Sequence, residues 1–246
     1  MVQKIKFGTD GWRAIIAQDF TVENVARVTE ATGIWLKQHF ENPSVVIGHD
    51  CRFAGELFMH TAAAVLVQQG IKVYIAQGFV STPMISLGAH KTGCEIGIIL
   101  TASHNPPSYN GFKLKAKFGG PLQPEKINEI EAIIPDVCGV EYASFSVANA
   151  LKSGLIEVLP LEKEYIDHVK ASFDLPAIQA SGLRLMYDAM YGAGQRVIPQ
   201  VLPSTTLMHC EPNPSFMGQA PEPIGKNLQE LSQYIKTHQN IDCALA

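Results

Sequence analysis

Three short apolar runs punctuate the first half of the chain: Val45-Val-Ile47, Lys72-Val-Tyr-Ile75 and Ile96-Gly-Ile-Ile-Leu100. Apolar runs of this length, without alternation, read as strands buried on both faces, as in a parallel sheet. Between them the spacing becomes helical. Val22, Val25, Ala26, Thr29, Gly33, Leu36 and Phe40 form a stripe that would face the sheet, with Thr21 as N-cap. A second helix is predicted from about Gly55 to Gly70, where Gly70 supplies the stop. Thr82-Pro83 reads as N-cap and first helical position of a third, which Gly93 closes. The resulting order β-α-β-α-β argues for a mainly parallel sheet with helices on both faces.

After Leu100 a loop intervenes, and Phe112 to Phe118 then alternates strictly. Lys113, Lys115 and Lys117 share one face and Leu114 the other, the pattern of a half-exposed strand. A solvated sheet edge would account for Lys115 and Lys117, because edge strands carry lysine against aggregation. Lys113, nearest the loop, is assigned to a site instead. Pro124 to Ile134 completes the first unit as a helix, and residues 135 to 159 show no strong period.

Leu161 to Phe173 is a helix, and Leu183-Arg-Leu-Met-Tyr187 begins a second α/β unit. Its strand runs into the glycine-bearing turn Asp188-Ala-Met-Tyr-Gly-Ala-Gly194, before a helix near Gln195–Leu202. That turn lacks the full dinucleotide fingerprint. A strand at Thr206–His209, a Pro/Gly-rich excursion from Pro212 to Lys226, a helix capped by Asn227 and reaching about His238, and a strand beginning at Asp242 follow. The fold class predicted is α/β: two three-layer α/β/α units with mainly parallel mixed sheets, the second incomplete. Their expected bounds are 1–138 and 160–246, with 139–159 as linker.

Composition narrows the function classes. With 246 residues, 46% hydrophobic, the chain has ample material for a core. A net charge of −4 offers no electrostatic case for nucleic acid, so phosphate affinity must come from local basic groups. Five cysteines, odd in number and without a C-x-x-C pair, favour reduced thiols and a cytoplasmic location over a zinc ribbon or disulfide framework. Met-Val-Gln-Lys-Ile-Lys at the start lacks a signal peptide's apolar core, and no apolar run approaches membrane-spanning length. No membrane association is expected.

The candidate chemistry lies in Thr101-Ala-Ser-His-Asn-Pro-Pro-Ser-Tyr-Asn-Gly-Phe-Lys113, just past the carboxyl end of a strand, where open α/β sheets bind ligands. A lone serine in a turn is ordinarily only a turn former. Here the Ser103 hydroxyl is flanked by a proton carrier, His104. Pro106 and Pro107 stiffen the turn, Asn105 and Asn110 can order it, and Lys113 opens the next strand. In Phe7-Gly-Thr-Asp-Gly-Trp-Arg13, two glycines permit a tight backbone around Thr9 and Asp10, and Arg13 offers a two-pronged phosphate grip. By itself that segment would read as a glycine turn with a surface arginine. Asp50 and Arg52, after the first apolar run, either pair with each other or position site groups. A His49/Cys51 thiol-protease reading fails because no partner orienting the histidine is visible.

Thr101-Ala-Ser-His-Asn-Pro resembles the active-site serine loop of the α-D-phosphohexomutases, the phosphoglucomutase and phosphomannomutase superfamily. Phe7 to Arg13 is similar to that family's amino-terminal signature, and Tyr109-Asn-Gly-Phe-Lys113 to its continuation after the loop. The three motifs stand in the family's order. The resemblance implies that Ser103 is carried as phosphoserine and exchanges a phosphoryl group with a hexose phosphate through a hexose 1,6-bisphosphate. It implies Mg²⁺ on the phosphoserine oxygens and glucose 1,6-bisphosphate as activator. Arg13, His104 and Lys113 would be catalytic, and Thr9, Asp10, Asn110 and Arg52 would bind substrate or phosphate. The Asp-Gly-Asp-x-Asp-Arg run with which the family binds Mg²⁺ does not occur in these residues, and the resemblance spans about half the family's usual length. The expectation is therefore an amino-terminal half with little or no turnover alone. A non-catalytic phosphosugar-binding or scaffold protein is the alternative. A Ser-His hydrolase is disfavoured, because there is no G-x-S-x-G elbow and Ser103 and His104 are sequence neighbours.

Overall fold

The computed structural model describes residues 4–8, 11–238 and 240–246. They divide into two units. The first comprises 4–8, 11–50, 54–102 and 108–161, and the second 51–53, 103–107, 162–238 and 240–246. In chain order the first unit contains β1 (Trp12–Ile15), α1 (Val22–His39), β2 (Ser44–His49), α2 (Gly55–Gln68), β3 (Lys72–Ala76), α3 (Thr82–Thr92), β4 (Ile96–Leu100), β5 (Tyr109–Ala116), α4 (Pro124–Ala132), α5 (Val147–Lys152) and β6 (Ile156–Leu159). The second contains α6 (Leu161–Ser172), which starts at the boundary, then α7 (Leu175–Ala180), β7 (Leu185–Asp188), α8 (Ile198–Val201), β8 (Thr206–Met208), α9 (Gln229–His238) and β9 (Cys243–Leu245).

The first unit's sheet has six strands in the order β1-β5-β4-β2-β3-β6. β2 is parallel to β3 and β4, β3 is parallel to β6, and β5 is antiparallel to both β1 and β4. The fully buried apolar runs occupy the middle of the sheet, as the lack of alternation requires. Because side chains alternate across a strand, the sheet has two distinct faces. Val45, Ile47, Ile96, Ile98, Leu100, Phe112 and Leu114 share a core with α1 and α2 residues such as Val28, Leu36, Phe58 and Leu66. The other face carries Gly48 and Gly97, where a Cβ would come within 3 Å of Ile85 on α3. These glycines let α3 lie close on the sheet and complete three layers.

Several sequence expectations are met by local chemistry. Thr21 caps α1, its hydroxyl accepting the Asn24 N–H at 3.2 Å. Gly70 and Gly93 adopt positive φ just after α2 and at the end of α3. Others need correction. α3 starts one residue earlier than expected, with Ser81 as N-cap and Pro83 in its first turn. Asn227 does not cap α9; its amide donates to the Ala220 and Glu222 carbonyls and ties the preceding excursion together.

Two corrections change the architecture. β5 is not a sheet edge but lies between β1 and β4, so Lys115 is buried, not solvated. Lys117 lies past the strand's end, exposed and paired with Glu95 at 3.4 Å. The supposed linker 139–159 supplies α5 and the outer strand β6 of the first sheet. The segment before them is fastened to α1: Glu23 accepts from the Cys138 N–H (2.9 Å) and Tyr142 hydroxyl (2.6 Å), and Glu30 from the Gly139 N–H (2.8 Å). Burial, with Glu30 and Glu23 nearby, pushes the Cys138 thiol up to about 12.

The second unit has a three-stranded parallel sheet, β8-β7-β9. Met186, Val197, Val201, Phe216 and Leu231 are among its buried apolar side chains. No described helix is long and apolar enough to cross a membrane.

Candidate active site

The serine loop leaves the sheet between β4 and β5, both fixed in mid-sheet by their ladders. Its entrance is pinned twice. The Thr101 N–H donates to the Gly111 carbonyl at 2.9 Å, and its hydroxyl to Asp50 Oδ2 at 2.5 Å. Two residues later the chain reaches Ser103, exposed, with φ of +56°. That left-handed conformation costs a residue with a Cβ about 1–2 kcal/mol. It persists only where surrounding structure fixes it.

Arg52 provides that structure. Its side chain is buried (3% exposed) and its guanidinium faces the inside of the loop. Nη2 donates to the Ser103 and Asn105 carbonyls, both at 2.7 Å, and Nη1 to the Pro106 carbonyl at 2.8 Å. Arg52 and Asp50, left open by the sequence as a mutual pair or as positioning groups, both reach the loop: Asp50 at Thr101 and Arg52 at the carbonyls beyond it. Expected among the phosphate-binding residues, Arg52 instead has its guanidinium directed at backbone carbonyls. Asn110 also has a different role from the one expected. It is fully buried beside Ala14 of β1, and its Oδ1 accepts the Gly111 N–H at 2.8 Å. A side chain enclosed in the sheet's apolar face cannot meet a ligand in solvent.

Arg13 and Lys113 occupy the other face. Arg13 pairs with Gly111 across β1 and β5, and Lys113 pairs with Ile99 across β5 and β4. The period of two puts Arg13, Gly111 and Lys113 together, opposite Trp12, Phe112 and Leu114. Gly111 makes room for this arrangement: a Cβ there would lie 3.1 Å from Arg13 Cγ and 2.4 Å from the Thr101 carbonyl oxygen. Gly11, at φ +105°, gives way to the Lys113 side chain, whose Cγ would lie 2.7 Å from a Cβ at that position. Lys113 is 4% exposed, so its side chain is enclosed and not solvated. His104 is exposed on the loop. Thr9 and Asp10 lie outside the described residues.

The donor set does not fit the Mg²⁺ that the resemblance implies. No three His, Cys, Asp or Glu side chains among the described residues gather as a metal site, and Asp50, beside the loop, accepts from Thr101.

The second unit has its own constellation at the carboxyl ends of β7 and β8, of which the sequence showed only the turn from Asp188 to Gly194. Asp188 is buried. It accepts the Met190 N–H at 2.8 Å and lies 2.9 Å from His209 Nδ1, whose Nε2 is 3.3 Å from Glu230. The Tyr191 and His209 rings lie 4.7 Å apart. With Phe216, Met217 and Lys226 these residues line a cavity of about 410 Å³. Burial, then the Glu211, Glu230 and Asp188 carboxylates, pushes the Tyr191 phenol up. No spacing signal joins Asp188 to His209; a histidine just after a strand is too common a feature.

Comparisons with known proteins agree with this fold. The family model for phosphoglucomutase/phosphomannomutase α/β/α domain I matches residues 4–137, and that for domain II matches 163–246. The chain is 31% identical over 235 residues to a phosphoglucomutase/phosphomannomutase of Thermococcus kodakarensis, covering 94% of this chain and 50% of that protein. It is 33% identical over 196 residues to a phosphoglucosamine mutase of Sulfurovum, covering 80% and 43%. Among solved structures, one described provisionally as a phosphomannomutase from Thermus thermophilus superposes with a TM-score of 0.86 at 34% identity, over 96% of this chain and 52% of that one. The open form of parafusin from Paramecium shares the fold, with a TM-score of 0.85 at 19% identity over 98% and 50%. The chain spans about half the length of the curated relatives it matches. Two domain models in sequence, meeting the motifs at Phe7–Arg13 and Thr101–Lys113, establish that this chain belongs to the phosphoglucomutase/phosphomannomutase family.

Proposed function

We propose that this chain carries the phosphoserine half of a phosphohexomutase, which interconverts hexose 1-phosphates and hexose 6-phosphates. The observation that carries the reading is Ser103, exposed on a left-handed backbone that Arg52 holds; Arg13 and Lys113 share one face of β1 and β5. Phosphoserine would give its phosphoryl group to a hydroxyl of the hexose phosphate, and the resulting bisphosphate would return its other phosphoryl group to Ser103. Phosphoryl transfer depends mainly on positioning and charge stabilisation, which two cations on one rigid face supply. His104 would move the proton between the sugar hydroxyl and solvent. No step is assigned to Mg²⁺, for which the side chains here are no match. Hexose phosphates are the proposed partners, with glucose 1,6-bisphosphate as activator and the cytoplasm as location.

Since the chain spans half of its relatives, residues 1–246 alone are proposed to phosphorylate slowly and not to turn over. The test is incubation with glucose 1,6-bisphosphate and mapping of phosphate by mass spectrometry, alongside a coupled assay with glucose 1-phosphate. Partial phosphorylation at Ser103, lost in Ser103→Ala and without multiple turnover, is expected. Robust turnover would overturn the half-enzyme reading. Sugar-phosphate binding with an unmodified Ser103 would favour a non-catalytic phosphosugar-binding protein.

A further inference from the structure

The three carbonyls that Arg52 grips differ in what lies on the other side of their peptide units. No cis peptide bond occurs among the described residues, so each N–H points opposite to the C=O of its own unit. The carbonyls of Asn105 and Pro106 belong to peptide units completed by Pro106 and Pro107, which have no N–H. The Ser103 carbonyl belongs to a unit completed by His104, which has one. Drawing all three carbonyls inward therefore turns a single N–H outward, that of His104, directly after the serine.

We infer that Arg52 is the positioning residue of this site: by turning the Ser103 carbonyl inward it presents the His104 backbone N–H to phosphoryl oxygens on Ser103. This deepens the phosphoserine reading and rests on it. The fork geometry matters because one planar guanidinium reaches three carbonyls with two nitrogens, which an ammonium on a flexible stem cannot reproduce. The left-handed φ of Ser103 fits the same purpose. It turns the chain sharply, and backbone N–H groups gathered by such turns form concavities that accept anions. The prolines remove the donor from two of the three gripped peptide units, leaving that of His104 in the third. The buried guanidinium also places a positive charge behind the loop, favouring a phosphoryl group in front of it.

The test is ¹H–¹⁵N NMR on the full chain, titrated with inorganic phosphate at neutral pH, for the wild type, Arg52→Lys and Arg52→Gln. In the wild type the His104 amide should move downfield saturably. In both variants that response should be lost and phosphate affinity should fall on the order of tenfold, as expected when a charge-assisted donor array is misplaced. A residue acting only through charge would be rescued by lysine. Wild-type affinity and an unchanged His104 shift in Arg52→Lys would overturn the inference while leaving the phosphate-site reading intact. No response to phosphate anywhere in the wild-type loop would overturn both. Should either variant fold poorly, the wild type still decides: slow-exchanging Arg52 Nη protons together with a phosphate-responsive His104 amide are expected, and loss of either overturns the assignment.

Discussion

At the scale of single residues, the site depends on what glycine omits. Gly111 stands opposite Arg13 and beside the Thr101 carbonyl, and a Cβ there would lie 2.4 Å from that carbonyl oxygen and 2.9 Å from that of Trp12. Both obstacles are backbone, held in ladders on either side, so neither can step aside. Gly111→Ala must therefore push β5 away from β4 and β1. We expect a loss of about 1–3 kcal/mol, the range for overpacking in a close-packed interior, read from urea midpoints. A fall in phosphorylation of Ser103 should accompany it, because Thr101 and the loop share those ladders. An unchanged midpoint would mean that the strands yield at no cost. The glycine itself stands in the sequence as part of Tyr109-Asn-Gly-Phe-Lys113, and Ser103, His104, Arg13 and Lys113 were singled out there as candidates, which the structure places on the loop and on one face of β1 and β5. The role of Arg52 was not. Sequence records a guanidinium near a strand end, and only the direction in which it turns separates a phosphate grip from a loop clamp.

At the scale of elements, the ends of three strands meet at one carboxylate. Glu95, just before β4, accepts the Ser44 N–H of β2 at 2.8 Å and the Ser44 hydroxyl at 3.2 Å, and pairs with Lys117 just past β5. Burial pushes its carboxyl up, but the Ser44 and other backbone hydrogen bonds and Lys117 outweigh that, and it titrates below the usual glutamate range. A folded-state pKa below the unfolded one favours folding most when the group is ionised in both states. The contribution is complete above the unfolded value of about 4.3. It fades as pH falls from there through the folded value. Urea midpoints of the wild type and Glu95→Gln should converge on acidification through this window. A constant gap would show that the carboxylate charge is not what ties the strands. The same elements show where pattern reading ends. The stripe of α1 and the runs of β2 and β4 were legible because each is long or uniform enough to have only one reading. Alternation in β5 was misread, because a strand with lysines on one face looks alike at an edge and in the middle of a sheet. β6 has four residues in an aperiodic stretch, and its place comes from pairing with β3, a contact of long sequence separation that no local pattern encodes.

At the scale of the whole molecule, the two units are unequally built. The first has a six-stranded sheet with a large continuous core, and all five residues of β4 are buried. The second has strands of four, three and three residues, and in β9 no residue is fully buried. Sheets of a few short strands gain little apolar burial to offset their ordering. Regions with few buried contacts open at lower free energy than the core. Hydrogen exchange should thus separate them. Amides of β2 and β4 should exchange only through global unfolding, and those of β7, β8 and β9 much earlier, under the same conditions. Equal protection in both sheets would mean that the second unit opens only together with the first. The division of the chain has a bearing on the chemistry. Arg52 and the serine loop are grouped with the second unit, and the Arg52 guanidinium carbon lies 5.1 Å from the centre of the Phe216 ring. Phosphate addition should therefore slow exchange at His104 and in β7 together. Protection of His104 alone would show that the loop holds its geometry independently of the second sheet.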